Sequence, residues 1–421
     1  MQALWKDGRV SNNTLLVVEC DGPLAPARVG RALDRLLDVC PWPAARLRRP
    51  FPWGRLHWAA RPRGALVAPP VAHRSVASPE DLHRELEAEL NGAIDPRRDP
   101  PLRVLLLDCD SGPAPARSFL VLTWFHPLMD PRGAQNLLLH VAHLDGDDGR
   151  TPWGGAPPEF AAPRDSRPLS ERGRLARRSL EYMRSLTPVP PVSPGTGLVA
   201  PGRARFRQES LAEPAPGAGS RRAPREICAR LAVVGKAMAE LWKKRGRPDV
   251  PFFVPIAVDL RPKGEPGPTF GNVLAFHFAR FESSQTADVA GLARTLREQM
   301  TDAVRGGQIE ANAVAMEFLK YRPVSTMLRE LPGTARRETF SFNCADVLDF
   351  PAAPEALFGC RILNAYHVPA VLPRPGIGVF FNRCASKTNV VTSWIEGAVS
   401  EDEVGRIVDV VREGLGWTRS A

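Results

Sequence analysis

The chain has 421 residues, 43% of them hydrophobic, which is enough to bury two cores of ordinary domain size. Its net charge of +10 is carried mainly by arginine: of 56 basic residues, seven are lysine (6, 236, 243, 244, 263, 320 and 387) and 49 are arginine. No apolar run approaches the roughly 20 residues that cross a bilayer, and none follows Met1 as in a signal peptide. The seven cysteines (20, 40, 109, 228, 344, 360, 384) include no Cys-x-x-Cys pair, so reduced, mostly buried thiols in a cytoplasmic protein are expected.

In chain order, the patterning predicts a strand over 14–19, a helix over 26–39, and short strands at 56–58 and 66–68. A helix over 79–90 and strands over 102–107 and 118–125 follow. The irregular alternation of strand and helix points to an α/β mixed sheet with helices on one or both faces. Residues 151–163 read as loop, 169–186 as a basic helix, and 187–219, rich in Pro and Gly, as an extended crossover linker. The second half restarts with a helix over 225–245 and strands over 251–258 and 272–281. A helix over 287–304, more helical pattern to 321, strands at 338–343 and 361–366 and a hairpin over 376–395 follow. The last helix, 401–415, is capped by Ser400 with Glu403 at the third position. Three parts are expected: 1–145, a linking part 146–225, and 226–421.

The densest chemistry lies at Thr123-Trp124-Phe125-His126-Pro127-Leu128-Met129-Asp130-Pro131-Arg132-Gly133. A buried strand delivers His126 to its carboxyl end, and the prolines bias His126 and Asp130 toward extended backbone, so a stiff loop and not a helical turn is expected. Asp130-Pro131 reads as N-cap and first residue of a helix over 132–143 with an apolar stripe of Ala134, Leu137, Leu138, Val141 and Leu144. A histidine on such a corner suits general-base work, although a satisfied structural histidine and a plain helix cap fit the same residues. No Gly-x-Ser-x-Gly elbow is present, which argues against a serine hydrolase. His140, His143, Asp145, Asp147 and Asp148 offer metal-ligating types, but cationic or dipolar groups are favoured at a helix end in any case, and no metal is expected.

His126 to Asp130 resembles the His-His-x-x-x-Asp-Gly signature of the chloramphenicol acetyltransferase-like, CoA-dependent acyltransferase superfamily, which includes condensation domains, polyketide-associated acyltransferases and wax ester synthases. The match departs at the first His, here Phe125, and at the Gly, here Pro131, with Gly133 two places on. The strand ending Asp259-Leu260-Arg261, the Gly271-Asn272 that opens the next strand, and Ser341-Phe342-Asn343 are similar to further segments of that family. The resemblance implies two α/β halves set as a V, with a tunnel between them. His126 would be the general base. Asp130 would be structural and paired with Arg261. Ser341 or Asn343 would serve the acyl or oxyanion side, and Phe125, His277 and Asn272 would line the tunnel.

The implied reaction moves an acyl group from a thioester, on CoA or on the phosphopantetheine of a carrier protein, to a small hydroxyl or amine acceptor. The thioester is a co-substrate, and no cofactor is expected. A non-catalytic scaffold binding a carrier protein or lipid is the alternative, and a peptide-bond-forming condensation enzyme with partners in trans is a third. The basic surface can attract phosphates, and helix 169–186 offers a docking face for an anionic carrier or for peripheral membrane contact. No helix-turn-helix, zinc-finger spacing or RNP-type motif accompanies the charge, so nucleic acid is not an expected partner.

Overall fold

A computed structural model of the chain describes residues 12–51, 54–109, 117–146, 165–187, 189, 191–196, 202–212, 227–261, 267–321, 338, 340–350, 356–385 and 387–419. Strand β1 (Asn13–Cys20) carries Leu15, Leu16, Val17 and Val18, all fully buried, so apolar side chains occupy both of its faces. Helix α1 (Pro26–Val39) starts on a proline and turns Val29, Leu33 and Leu36 inward. Among the described residues, strands β2 (Arg46–Arg48) and β3 (His57–Ala59) pair with each other alone. Then come β4 (Val71–Val76), α2 (Pro79–Asn91), β5 (Leu102–Cys109), β6 (Arg117–Phe125) and α3 (Pro131–Leu144).

Beyond these lie α4 (Leu169–Leu186), β7 (Ala204–Ala212), α5 (Ile227–Lys244), β8 (Phe252–Asp259), β9 (Leu274–Phe281), α6 (Val289–Arg305) and α7 (Gln308–Leu319). The chain closes with β10 (Asn343–Phe350), β11 (Ala356–Leu357), β12 (Cys360–Val368), β13 (Ile377–Cys384), β14 (Lys387–Ile395), α8 (Glu401–Gly414) and β15 (Thr418–Arg419). The capping box at Ser400 and Glu403 forms as the spacing predicts, each side chain accepting the other's backbone N–H.

Two sheets organise the molecule. The first runs β11-β12-β1-β6-β5-β4 and the second β10-β13-β14-β7-β15, while β8 and β9 form a separate antiparallel pair. Helices α1 and α3 cover one face of the first sheet, packing Leu33, Leu36, Leu137 and Leu138 on Leu16, Val18, Leu120 and Leu122. The other face, with Leu15, Val17 and Val121, shares a core with Leu86 and Leu90 of α2 and with Phe206, Phe380 and Val391 of the second sheet. The second sheet is also covered by α5 and α8, through Leu231, Val234, Val404 and Val411.

The strands cross the expected parts. β12, from the stretch 226–421, pairs with β1 through Leu15↔Val368 to Glu19↔Asn364. β7, inside the stretch read as crossover linker, is an inner strand of the second sheet, paired with β14 from Ala204↔Ile395 to Ala212↔Lys387. Its burial of Ala204, Phe206 and Leu211 in the shared core is what makes it a strand, and the Pro/Gly richness on either side masked that pattern.

Two other readings shift. No strand forms at 66–68; instead β4 pairs in parallel with β5, and its exposed Ala72, His73, Arg74 and Ser75 leave an edge strand without an apolar signature. The strand expected over 338–343 begins at Asn343, where pairing with Gly378 starts. The loop over 151–163, with Asp147 and Asp148, lies outside the described residues. Helix α4 forms at its expected bounds and docks on α7, with the Arg172 guanidinium 5.4 Å from the Phe318 ring centre and Arg178 donating to the Gly306 carbonyl.

Where the sheets meet, two buried amides pair reciprocally: Asn364 Nδ2 donates to Asn389 Oδ1 at 3.1 Å, and Asn389 Nδ2 to Asn364 Oδ1 at 2.9 Å. Asn364 is 5% exposed and Asn389 fully buried, so neither amide has water as a substitute. Replacing Asn364 by alanine removes both of these bonds, while the Asn389 amide keeps Gln208, Ser210 and the Ala365 carbonyl, and should cost about 1 kcal/mol in denaturant unfolding. An unchanged unfolding midpoint would show that the pair contributes nothing.

Candidate functional site

At the end of β6 the backbone makes a 3-10 turn, His126–Leu128, where the sequence predicts a loop without a helical turn. Pro127 stands in the first turn, where its fixed φ suits a helix and its missing N–H is not needed, and the extended residue is Phe125 instead of His126. The turn has few bonds of its own and is held from outside. The His126 N–H donates to the Asn12 carbonyl at 2.8 Å, and Trp124 Nε1 donates to the Met129 carbonyl at 2.9 Å. The Pro127 carbonyl accepts from Trp58 Nε1 at 3.3 Å and from Asn272 Nδ2 at 3.0 Å.

Asp130 ends the turn and caps α3. Its Oδ1 accepts the Gly133 N–H at 2.8 Å and its Oδ2 the Val273 N–H at 2.8 Å. Arg261 Nη1 donates to Oδ2 and Nη2 lies against Oδ1, both at 3.0 Å, a two-pronged pair. The carboxylate is buried, with its side chain 4% exposed and that of Arg261 9%. Arg261 is aimed by Asp259, whose Oδ1 takes its backbone N–H at 3.0 Å and its Nη1 at 3.1 Å, and by the Thr269 and Gly271 carbonyls at 3.3 and 2.7 Å. Gly133 has its own reason to be glycine: a Cβ there would stand 2.0 Å from the Phe270 carbonyl oxygen. Pro131, in the position of the motif's glycine, is the first residue of α3, where its missing N–H is not needed.

His126 keeps part of its surface in contact with solvent. Its Nδ1 lies 3.4 Å from the Met129 carbonyl, an atom that can only accept, so Nδ1 carries the proton in that contact and Nε2 holds the lone pair. Withdrawal from water lowers its pKa below the usual 6.5, against the opposing pull of the Met129 carbonyl and the Asp130 charge. The imidazole is therefore neutral and basic at neutral pH.

His126, Asp130, Arg261 and Asn272 thus form one cluster. Phe125, in the place of the motif's first histidine, is 1% exposed and packs edge-on to Trp58 with ring centres 6.5 Å apart. Among the described residues, no hydrogen bond joins Ser341, Asn343 or His277 to the cluster. Ser341 Oγ accepts the Phe253 N–H at 3.1 Å and its N–H donates to the Phe253 carbonyl at 2.8 Å, which fastens it to β8. Asn343 opens β10 opposite Gly378.

His277 is 1% exposed and sits on the face of β9 that carries Ala275, Ala279 and Phe281 into the cores under the helices. Of the metal-ligating types considered, Asp145 is taken by Arg28 Nε at 2.7 Å and His140 is fully buried, 5.8 Å from the Phe270 ring. Trp58 carried no signal in the sequence, because its partner Pro127 is 69 residues away.

No known protein-family model matches the chain, and no curated protein matches it in sequence. Solved structures do match along nearly its whole length. The first condensation domain of the calcium-dependent antibiotic synthetase, in complex with a substrate analogue, aligns with a TM-score of 0.64 at 19% identity over 98% of this chain and 93% of its own. The trichothecene 15-O-acetyltransferase from Fusarium sporotrichioides gives 0.69 at 13% identity, over 97% and 91%. A mutant of the starter condensation domain of rhizomide synthetase, in complex with C8-CoA and Leu-SNAC, gives 0.65 at 16%, over 99% and 92%. The chain therefore has the condensation-domain, chloramphenicol acetyltransferase-like fold, two α/β halves each built on a sheet flanked by helices.

Arg261→Ala would leave the Asp130 carboxylate buried without its counter-charge, and urea unfolding should show a loss of about 3–5 kcal/mol. Recovery of wild-type stability in that variant would contradict the pair's structural importance. Stability should also fall in acid. His277 and His367 are buried and their pKa values lie near 4, against 6.5 in the unfolded chain, because burial disfavours the charged ring. The unfolded state takes up protons first, so stability is fully present above about pH 6.5 and declines between pH 6.5 and 4. A flat profile across that window would refute the assignment.

Proposed function

We propose that the protein moves an acyl group from a thioester, on CoA or on a carrier protein, to a hydroxyl or amine, with His126 as general base. The observation that carries this reading is the state of the His126 ring. Its Nδ1–H is turned to the Met129 carbonyl, burial holds it neutral, and Nε2 makes no hydrogen bond among the described residues. The likeness to an acetyltransferase and to a domain bound to C8-CoA supports it through the fold.

On this reading the acceptor's O–H or N–H gives its proton to Nε2 as the acceptor oxygen or nitrogen bonds to the thioester carbonyl carbon. The tetrahedral oxyanion then collapses, the carbon–sulfur bond breaks, and the departing thiolate takes the proton back from His126. No acyl-enzyme and no cofactor enters, because the thioester is already activated. Asp130 and Arg261 hold the corner. The Ser341 hydroxyl retains its proton for donation, and with Asn343 it is the proposal's donor set for the oxyanion.

Asn272 and the rest of the cluster would border a passage between the halves that is open to donor and acceptor from opposite sides, with Phe125 packed beneath it. The outward Arg174, Arg177 and Arg184 of α4, with exposed Leu169 and Leu180, offer the surface for an anionic carrier or lipid. Cytoplasmic placement follows from the donor, since CoA thioesters and loaded carriers are held there.

Thiol release from a panel of acyl-CoAs and acyl carrier proteins, with pooled alcohols and amines, tests the reading. His126→Ala should lose at least ~10²-fold in rate while its melting temperature stays close to wild type. The acidic limb of the rate profile should fall below pH 6.5, in line with the lowered His126 pKa. Absence of turnover with every donor, together with tight binding of a carrier, would point instead to a scaffold.

A further inference from the structure

In the 3-10 turn that carries His126, the Pro127 carbonyl takes two donors from distant parts of the chain, one of which, Asn272 Nδ2, also lies 3.5 Å from the His126 carbonyl. Trp58 Nε1 stands 3.3 Å from the Pro127 oxygen and Asn272 Nδ2 3.0 Å, which uses both of its lone pairs. The same Trp58 ring packs edge-on against Phe125. Phenylalanine has no polar atom with which to fix the turn, and the indole of Trp58 adds to the support from Asn12 and Trp124: its ring covers residue 125 and its N–H holds residue 127.

Trp58 stands on the β2–β3 ribbon, which belongs to neither main sheet. One strand of the ribbon is tied to the N-terminal half by the Leu47 N–H to the Pro96 carbonyl at 2.8 Å. The connecting segment is tied to the end of α7 by the Leu56 N–H to the Lys320 carbonyl at 2.9 Å and by Arg55 to Glu317 at 2.9 Å. The position of the indole therefore depends on both halves of the chain.

We infer that Trp58 is a positioning residue for the reaction, acting with Asn272 as a two-donor clamp on the Pro127 carbonyl that sets the orientation and tautomer of His126. The inference rests on the reading of His126 as base, but its physical content does not need turnover. With the clamp in place, and with Trp124 Nε1 on the Met129 carbonyl, the turn keeps that carbonyl against Nδ1 and leaves Nε2 toward the acceptor. With one donor lost, the turn shifts and the Nδ1–H tautomer is no longer selected. Removing both donors leaves a carbonyl without a partner, so the two losses should reinforce each other.

The test uses Trp58→Phe, which keeps an aromatic ring and removes the N–H, Asn272→Ala, and the double variant. Long-range proton–nitrogen NMR of the histidine rings reports the His126 tautomer and its titration in every one, with thiol release measured in parallel. Wild type should show the Nδ1–H form. Each single variant should show a mixed tautomer and a His126 pKa moved from its wild-type value, with kcat lowered about 10-fold and KM changed little. The double variant should lose more than the product of the single effects, and the melting temperature of Trp58→Phe should stay near wild type.

Wild-type His126 spectra in both single variants would overturn the clamp, as would strictly multiplicative losses in the double variant. If Trp58→Phe does not fold, Asn272→Ala alone decides through the same spectra. If wild type turns over no donor at all, the acyl-transfer reading fails while the tautomer comparison still decides the clamp.

Discussion

The buried pair of Asp130 and Arg261 is the constraint on which the rest of the site depends. One carboxylate takes a helix N-terminus through Gly133, the head of β9 through Val273, and a guanidinium from the end of β8. Every lone pair directed inward is used, which is the condition under which a buried charge is tolerated. Its cost of desolvation is offset only while both chain segments stay in place, so the pair works as a test of assembly. The β6–α3 corner and the β8–β9 pair are correct together or not at all. The close fit of Gly133 under the Phe270 carbonyl tightens the same joint without electrostatics.

Around that joint the burden on His126 is light. In the proposed role a histidine cannot be locked into strong bonds, and among the described residues the ring makes one hydrogen-bond contact, a long one to Met129. Rigidity is supplied to the backbone instead, by donors from Trp58, Trp124 and Asn272, while burial supplies the neutral charge state. Separation of these tasks explains how Phe125 can stand where the motif has a histidine. The first position is at the bottom of the corner, fully enclosed, and what it contributes there is packing.

The crossing strands give the two halves a common fate. β12 completes the first sheet and lies beside the second, where Asn364 meets Asn389 and the His367 N–H reaches Asn382 Oδ1 at 3.0 Å. Buried amides in such a seam are costly if misaligned, so they fix register where apolar packing alone would permit a slip. The apolar core runs on without a break across the same seam, from Val17 to Val391.

The sequence by itself determined the elements whose signal is local. Apolar runs placed β1, β5 and β6, the proline at 26 and the Ser400 cap placed α1 and α8, and Asp130-Pro131 placed the helix that follows, whereas the stretch from His126, expected as a loop without a helical turn, is a single 3-10 turn. It also named His126, Asp130, Arg261 and Asn272, which the fold brings together. Tertiary structure decided what depends on partners far away in the chain. Edge strand β4 shows four exposed residues in a row and exists only because β5 offers it a ladder. β7 was hidden among prolines and glycines until two neighbouring strands paired with it. His277 alternates with apolar residues on either face equally well, and only the packing of the helices chose the buried one. Trp58 has no motif, because a hydrogen bond to a carbonyl asks nothing of the residue that supplies the carbonyl. Local physics is written in neighbouring side chains; a backbone acceptor 69 residues distant is not.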